Sequence, residues 1–251
     1  MDNDIKDTFL KHWDTYFGEA ELPICFYYTD EENRADMAKP AAGRQCFIGA
    51  LAKIRKGQSL CFDAKSIGCF GGKRYLGFSK RMMPRFEYFL SCGIPGRIEG
   101  ERYKKSPEMV KEVLEILPEF VAPGQYIVFK RWDMLEESDE PAVVIFFAKA
   151  DVLSGLFTLA NYDEVEENGV ITPFGAGCST IVMYPYLERD ANRPRAVLGM
   201  FDVSARPFVP KDMLTLAVPM NKFERMIENM DESFLITPAW AKVRKRIHSN
   251  L

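Results

Sequence analysis

Cys46, Cys61 and Cys69 fall within one short stretch, and the last sits in Gly68-Cys69-Phe70-Gly71-Gly72-Lys73-Arg74, a thiol among glycines followed by two cations. A thiolate is a nucleophile and a soft ligand, and adjacent cations stabilise it. Successive amides in a glycine-bearing turn also form a concavity that suits an anion, to which Lys73 and Arg74 add charge. Two chemistries follow. Cys69 is a candidate catalytic thiol, and Gly71, Gly72, Lys73 and Arg74 are a candidate seat for an anionic small molecule or cofactor whose identity stays unknown. The plain alternative is a Gly-Gly turn beside a solvated charge pair.

Charge supports the anion. From Lys73 to Lys105 there are nine cations against three acids, inside a chain whose formal net charge is -3. That overall balance gives no footprint for nucleic acid, so DNA and RNA are not expected as partners. No apolar run reaches the ~18–20 residues of a membrane span, and the opening Met1-Asp2-Asn3-Asp4 is acidic where a secretory signal is positive. A cytoplasmic protein is expected, with homo-oligomerisation left open. In a reducing compartment the six cysteines read as buried thiols, ligands or a reactive thiol before disulfides.

The spacing Cys46-x14-Cys61-x7-Cys69 lacks the tight Cys-x2-Cys pattern of structural zinc or ferredoxin sites, and no metal ligands are assigned. Cys46 and Cys61 read as core residues, and Cys25, on a predicted strand, and Cys92, beside a helix end, read as structural. The two histidines, His12 and His248, are far from Cys69 in sequence, which argues against a Cys-His or Ser-His-Asp engine. Asp63 and Asp202, each at the end of a predicted strand, are the acids available as a general base.

Around these residues the elements are legible. Ile5, Phe9, Trp13 and Phe17 repeat every four residues before Gly18, a helix with a glycine stop. Strands are predicted at Ile24–Thr29, Ser59–Asp63, Tyr126–Trp132, Val143–Ala148, Arg195–Phe201 and Met213–Val218, the third and fourth as a long-looped hairpin. Helices are predicted at Gln45–Lys56, Pro84–Leu90, Ser106–Leu117, after Asp151, after Cys178, at Asn221–Met230 and after Thr237-Pro238. Cys69 falls on a predicted loop, and Ser91–Ser106 is irregular.

Gly43-Arg44-Gln45-Cys46 with its helix and strand matches Gly175-Ala176-Gly177-Cys178 with its own, so a diverged duplication is expected in which Cys46 and Cys178 are equivalent. The expected architecture is α+β, with mixed sheet flanked by helices. It is read as one compact domain over 1–251 with related halves at 20–120 and 121–235 and a helical extension at 236–251. The ligand would lie between the halves, with Cys46, Cys178 and Arg206 lining the cleft with Cys69.

Taken in order, the cysteine helix at Cys46, the Cys69-Phe70-Gly71-Gly72 segment closing on Leu76-Gly77-Phe78, the Gly175–Cys178 motif, and the run Val197–Phe201 through Ala205-Arg206 to Met213–Pro219 resemble the domain of unknown function family 169, also labelled ArCR. The resemblance spans about Ile24 to Met230. It implies a soluble prokaryotic protein and brings no catalytic residues. Family members carry a cysteine-containing turn near Phe201-Asp202, which this chain lacks. The leading reading is therefore an anion- or cofactor-binding protein. The alternatives are a thiol-dependent enzyme with Cys69 as nucleophile, a metal or iron-sulfur protein using Cys46, Cys61 and Cys69 with Cys178, and a protein-interaction module.

Overall fold

The computed structural model describes residues 3–40 and 43–249; Met1 and Asp2 of the acidic opening, and the end of the 236–251 extension, lie outside them. Helix α1 (Asn3–Phe17) buries Phe9, Trp13 and Phe17 on one stripe. Gly18 ends it at φ +61°, a backbone conformation that strains any residue with a side chain.

The first four strands are β1 (Ile24–Thr29), β2 (Asp36–Met37), β3 (Leu60–Phe62) and β4 (Tyr126–Arg131), with α2 (Phe47–Arg55) between β2 and β3. The long β3–β4 connection holds α3 (Phe70–Tyr75), α4 (Phe86–Phe89) and α5 (Pro107–Ile116). Ser106 caps α5, its hydroxyl accepting from the Met109 amide at 3.3 Å. Then follow β5 (Val143–Ala148), α6 (Ala150–Ala160) and β6 (Val170–Ile171). A π-helical turn (Ser179–Met183) runs into α7 (Tyr184–Glu188). Pro185 has no N–H to offer the carbonyl of Ile181, which accounts for the widened turn. The chain ends through β7 (Ala196–Gly199), β8 (Leu214–Pro219), α8 (Met220–Glu228) and α9 (Pro238–Ser249).

These strands form one open mixed sheet in the order β2-β3-β4-β1-β5-β8-β7-β6, the α+β architecture expected. The order reads the same from either edge when β1–β4 are exchanged for β5–β8. On the outer flanks β3 runs parallel to β2 and antiparallel to β4, as β7 does to β6 and β8. At the centre Cys25 lies opposite Val144, the second residue of β1 facing the second of β5, as a two-fold rotation through that pair would require. β4 and β5 do not form the expected hairpin. The apolar run of β1 pairs on both edges and lies between them, as suits a strand buried on both faces.

One face is covered by α2 and the π-turn with α7, whose Phe47, Leu51, Ile54, Ile181 and Val182 pack over Phe26, Phe129 and Ile145. The other is covered by α1, α6, α8 and α9 through Phe9, Trp13, Leu156, Phe223 and Trp240. Each such side chain contributes about 1.5–3 kcal/mol on burial. On that second side, near β4, the buried Lys130 and Asp139 pair at 2.8 Å; the Tyr27 hydroxyl and the Glu136 amide also donate to Asp139. Among the described residues no helix is long and apolar enough to cross a membrane.

Candidate functional site

Cys69 is the N-cap of α3, so the segment expected as a loop is helical from Phe70 onward. Its sulfur accepts the Gly72 N–H at 3.2 Å, serving the third amide of the helix as a serine or aspartate cap would. Sequence propensity could not anticipate this, since two glycines open the helix. Gly72 is required by space. A Cβ there would stand 2.8 Å from the Cys69 sulfur, 2.8 Å from Ile67 Cγ2 and 3.3 Å from Phe47 Cβ. Gly71 is under no such demand, because its nearest neighbour would be the Tyr75 ring at 3.7 Å.

Phe47 opens α2, and the residue before it, Cys46, is that helix's N-cap. The same first turn reaches the second half of the chain. A Cβ on Gly177 would lie 3.5 Å from Ile48 Cγ1 and 3.0 Å from both Met200 Sδ and Ala205 Cβ. Gly177 and Cys178 begin the helical stretch that continues into the π-turn. The starts of α2, α3 and the Cys178 helix thus meet, and Cys46, Cys69 and Cys178 belong to one core layer. Cys46 and Cys69 are partly exposed and Cys178 is buried.

Electrostatics ties the three together. Burial pushes the Cys46 thiol up; the Ile48 and Gly49 amides oppose this, while charge on Cys69 and Asp202 adds to it. Cys178 is raised well above the ordinary thiol value, first by burial and then by Cys69, Cys46 and Asp202. Asp202 accepts the Gly177 N–H at 2.9 Å and both the amide and hydroxyl of Ser204. It therefore already supplies a negative charge at the start of the Cys178 helix. Tyr75, on α3, is raised by burial and then by Cys178, which places its phenol beside the same cluster.

The long β3–β4 connection crosses to the second half at the rim. The Tyr103 hydroxyl accepts the Ser204 N–H at 3.0 Å, and Lys104 Nζ stands 4.2 Å from the Phe174 ring centre. Arg44 lies 5.7 Å over the ring of Phe70, the residue next to Cys69. Arg44, Tyr103, Lys104 and Met200 were not singled out from the sequence. Only the fold brings Arg44 to Phe70, Met200 to Gly177, and Tyr103 and Lys104 to Ser204 and Phe174, and the positive φ of Met200, +70°, leaves no trace in residue type.

The remaining expected residues fall as follows. Lys73 closes the first turn of α3 with its amide on the Cys69 carbonyl. Arg74 donates to the Lys80 carbonyl at 2.7 Å while its buried Nε has no partner. Arg206 donates to the carbonyls of Pro210, Lys211 and Met213, so its guanidinium orders the loop before β8. Asp63 forms a turn by accepting the Lys65 and Ser66 amides at 2.9 and 2.8 Å.

Cys61 does not join the cluster. On β3 its neighbours Leu60 and Phe62 face the α2 side, so it points to the opposite face, against Tyr27 and Val128. Burial raises its thiol to about 11. His12, on α1, pairs with Asp231 at 3.2 Å. Among the described residues no group of three or more His, Cys, Asp or Glu side chains is placed to hold a metal ion. A hollow of about 560 Å³ lies on the 92–102 loop beside Arg97 and Arg102, and one of about 200 Å³ beside Glu164 and Arg193.

No match was found among curated proteins or among solved structures. The sequence model described as DUF169, uncharacterised ArCR, matches residues 16–229, which takes in both halves of the sheet and all three converging cysteines. The chain therefore belongs to the DUF169 (ArCR) family.

Proposed function

We propose that the protein binds a small anionic molecule where the starts of α2, α3 and the Cys178 helix meet, with the thiol of Cys69 facing the ligand. One observation carries the reading. Partly exposed Cys46 and Cys69 come together with Cys178 from the other side of the sheet's centre. Ligand sites favour such junctions. The mirrored strand order supports two related halves, with Cys46 and Cys178 equivalent at the start of corresponding helices. Asp202 already caps the Cys178 helix, so the anion's counter-charges come from Arg44, over Phe70, and Lys73, on the first turn of α3.

The test is a thermal-shift screen of carboxylates, phosphates and nucleotides, repeated at rising salt. The expected ligand raises the melting temperature, weakens as salt screens the cations, and loses most of its effect in Arg44→Ala/Lys73→Ala. A ligand indifferent to both changes would sink the proposal.

A second reading is favoured by the hollow beside Arg97 and Arg102, which lies within the same cationic segment. There the anion would dock on the 92–102 loop without meeting Cys69. Arg97→Ala/Arg102→Ala abolishes binding in that case and leaves it intact in the first.

A further inference from the structure

We infer that Cys46 and Cys69 form a redox-active dithiol whose substrates are low-molecular-weight disulfides bearing carboxylates. The substrate class rests on the anion-binding reading above; the sulfur chemistry rests on separate observations. Cys46 and Cys69 stand at the N-cap positions of α2 and α3, only the Cys69 sulfur making a capping bond, and both residues are partly exposed. The Cys69 sulfur and Phe47 Cβ, the latter on the residue next to Cys46, flank one point at 2.8 and 3.3 Å. The Gly72 N–H donates to the Cys69 sulfur at 3.2 Å and so fixes where that sulfur stands. Charge on Cys69 is felt at Cys46. Cys178, buried and raised well above the ordinary thiol value, stays protonated beside them. Arg44, 5.7 Å over the ring of Phe70, places a cation beside the residue next to Cys69 for the substrate's carboxylates.

The exchange balances in two displacements. The Cys69 thiolate attacks one sulfur of the disulfide; the Cys69–sulfur bond forms as the substrate S–S bond breaks, and one thiolate leaves with the electron pair and takes a proton from water. Cys46, having given its proton to solvent, attacks the Cys69 sulfur. The Cys46–Cys69 disulfide forms and the second substrate thiolate departs. Two protein thiols are oxidised and one disulfide is reduced to two thiols, and an external dithiol reverses the sequence.

The test uses the full chain carrying Cys92→Ser, which removes the exposed thiol. It is mixed with glutathione disulfide, which is anionic, or with cystamine, which is cationic, and followed by intact mass and peptide mapping. Expected are the loss of two hydrogens, a peptide joining Cys46 to Cys69, and a rate about tenfold higher for the anionic probe at low salt. Cys46→Ser should stop at a mixed disulfide on Cys69, and Cys69→Ser should prevent both products; Cys46→Ala and Cys69→Ala replace any serine variant that fails to fold. A mixed disulfide on Cys69 that never resolves onto Cys46, or a bridge from Cys69 to Cys178, overturns the dithiol. Equal rates for the two probes, with the Cys46–Cys69 bridge formed, overturn the anionic substrate class and leave the dithiol standing.

Discussion

The two sides of the sheet share a strand plan and differ most in one connection. Between β3 and β4 the chain runs from residue 63 to 125, through three helices and the cationic segment. Between β7 and β8 it needs only residues 200–213. The short connection holds Met200 at φ +70° and turns Asp202 back onto the Gly177 amide. The long one carries Cys69 and reaches across to Ser204 and Phe174. Residues common to both sides, such as the helix-capping or helix-starting Cys46 and Cys178, sit in the shared layer. What distinguishes the two is the inserted segment, so the lesson is that the frame supplies the layer in which Cys46 and Cys178 sit and the insertion brings Cys69 to it.

The first way to break this comparison is through its buried charges. Asp139→Ala leaves the buried Lys130 only the exposed Glu136 carboxylate at 3.2 Å and strips the Tyr27 hydroxyl and the Glu136 amide of their acceptor, and should cost about 3–5 kcal/mol in denaturant unfolding. Burial alone would raise Asp139, yet the Glu136 amide, Lys130 and the Tyr27 hydroxyl hold it below the usual carboxylate range. Its folded pKa is thus depressed. The stability it contributes is complete above the unfolded carboxylate value of about 3.9 and is lost as pH falls through the folded one. Acid titration of the wild type should show this loss, and the Asp139→Ala protein should lack it.

Next comes the pair of glycines beside Cys69. Gly72→Ala should destabilise by about 1–3 kcal/mol, since its Cβ meets a sulfur and a packed isoleucine. Gly71→Ala should be neutral or stabilise by about 0.5–1 kcal/mol, because alanine suits a helix better and meets only ordinary contact. Equal effects in thermal melts would mean that the sulfur does not occupy the space assigned to it. A smaller effect separates the halves' contact: Tyr103→Phe removes one of the two acceptors of the Ser204 amide, Asp202 remaining as the other, and should cost about 0.5 kcal/mol. If Tyr103→Phe melted like wild type, the strap from the long connection would be idle.

How much of this was legible in the sequence follows the physics of each element. Periodic helices and apolar strands, such as α1 and β1, could be bounded closely because burial imposes period 3.6 or 2. β2 and β6 have two residues each and carry no period, so they could not be seen. The placing of β1 between β4 and β5 is a non-local choice with no local signal. For the site, the Cys46 and Cys178 segments, which the fold places in one layer, drew attention through their spacing, as did the Cys69 turn. Its helical nature was hidden because a sulfur performs the capping. Arg206 drew attention through charge alone, and its partners are carbonyls that any sequence has.

The most direct measurement of the central claim is time-resolved iodoacetamide labelling of the native Cys92→Ser protein, mapped by peptide, with and without the best ligand from the thermal screen. The account predicts that Cys69 and Cys46 label in the free protein and slow by about tenfold or more when the anion is bound, while Cys25, Cys61 and Cys178 label only on unfolding. A ligand that raises the melting temperature and leaves Cys69 and Cys46 labelling at their free rates would contradict it.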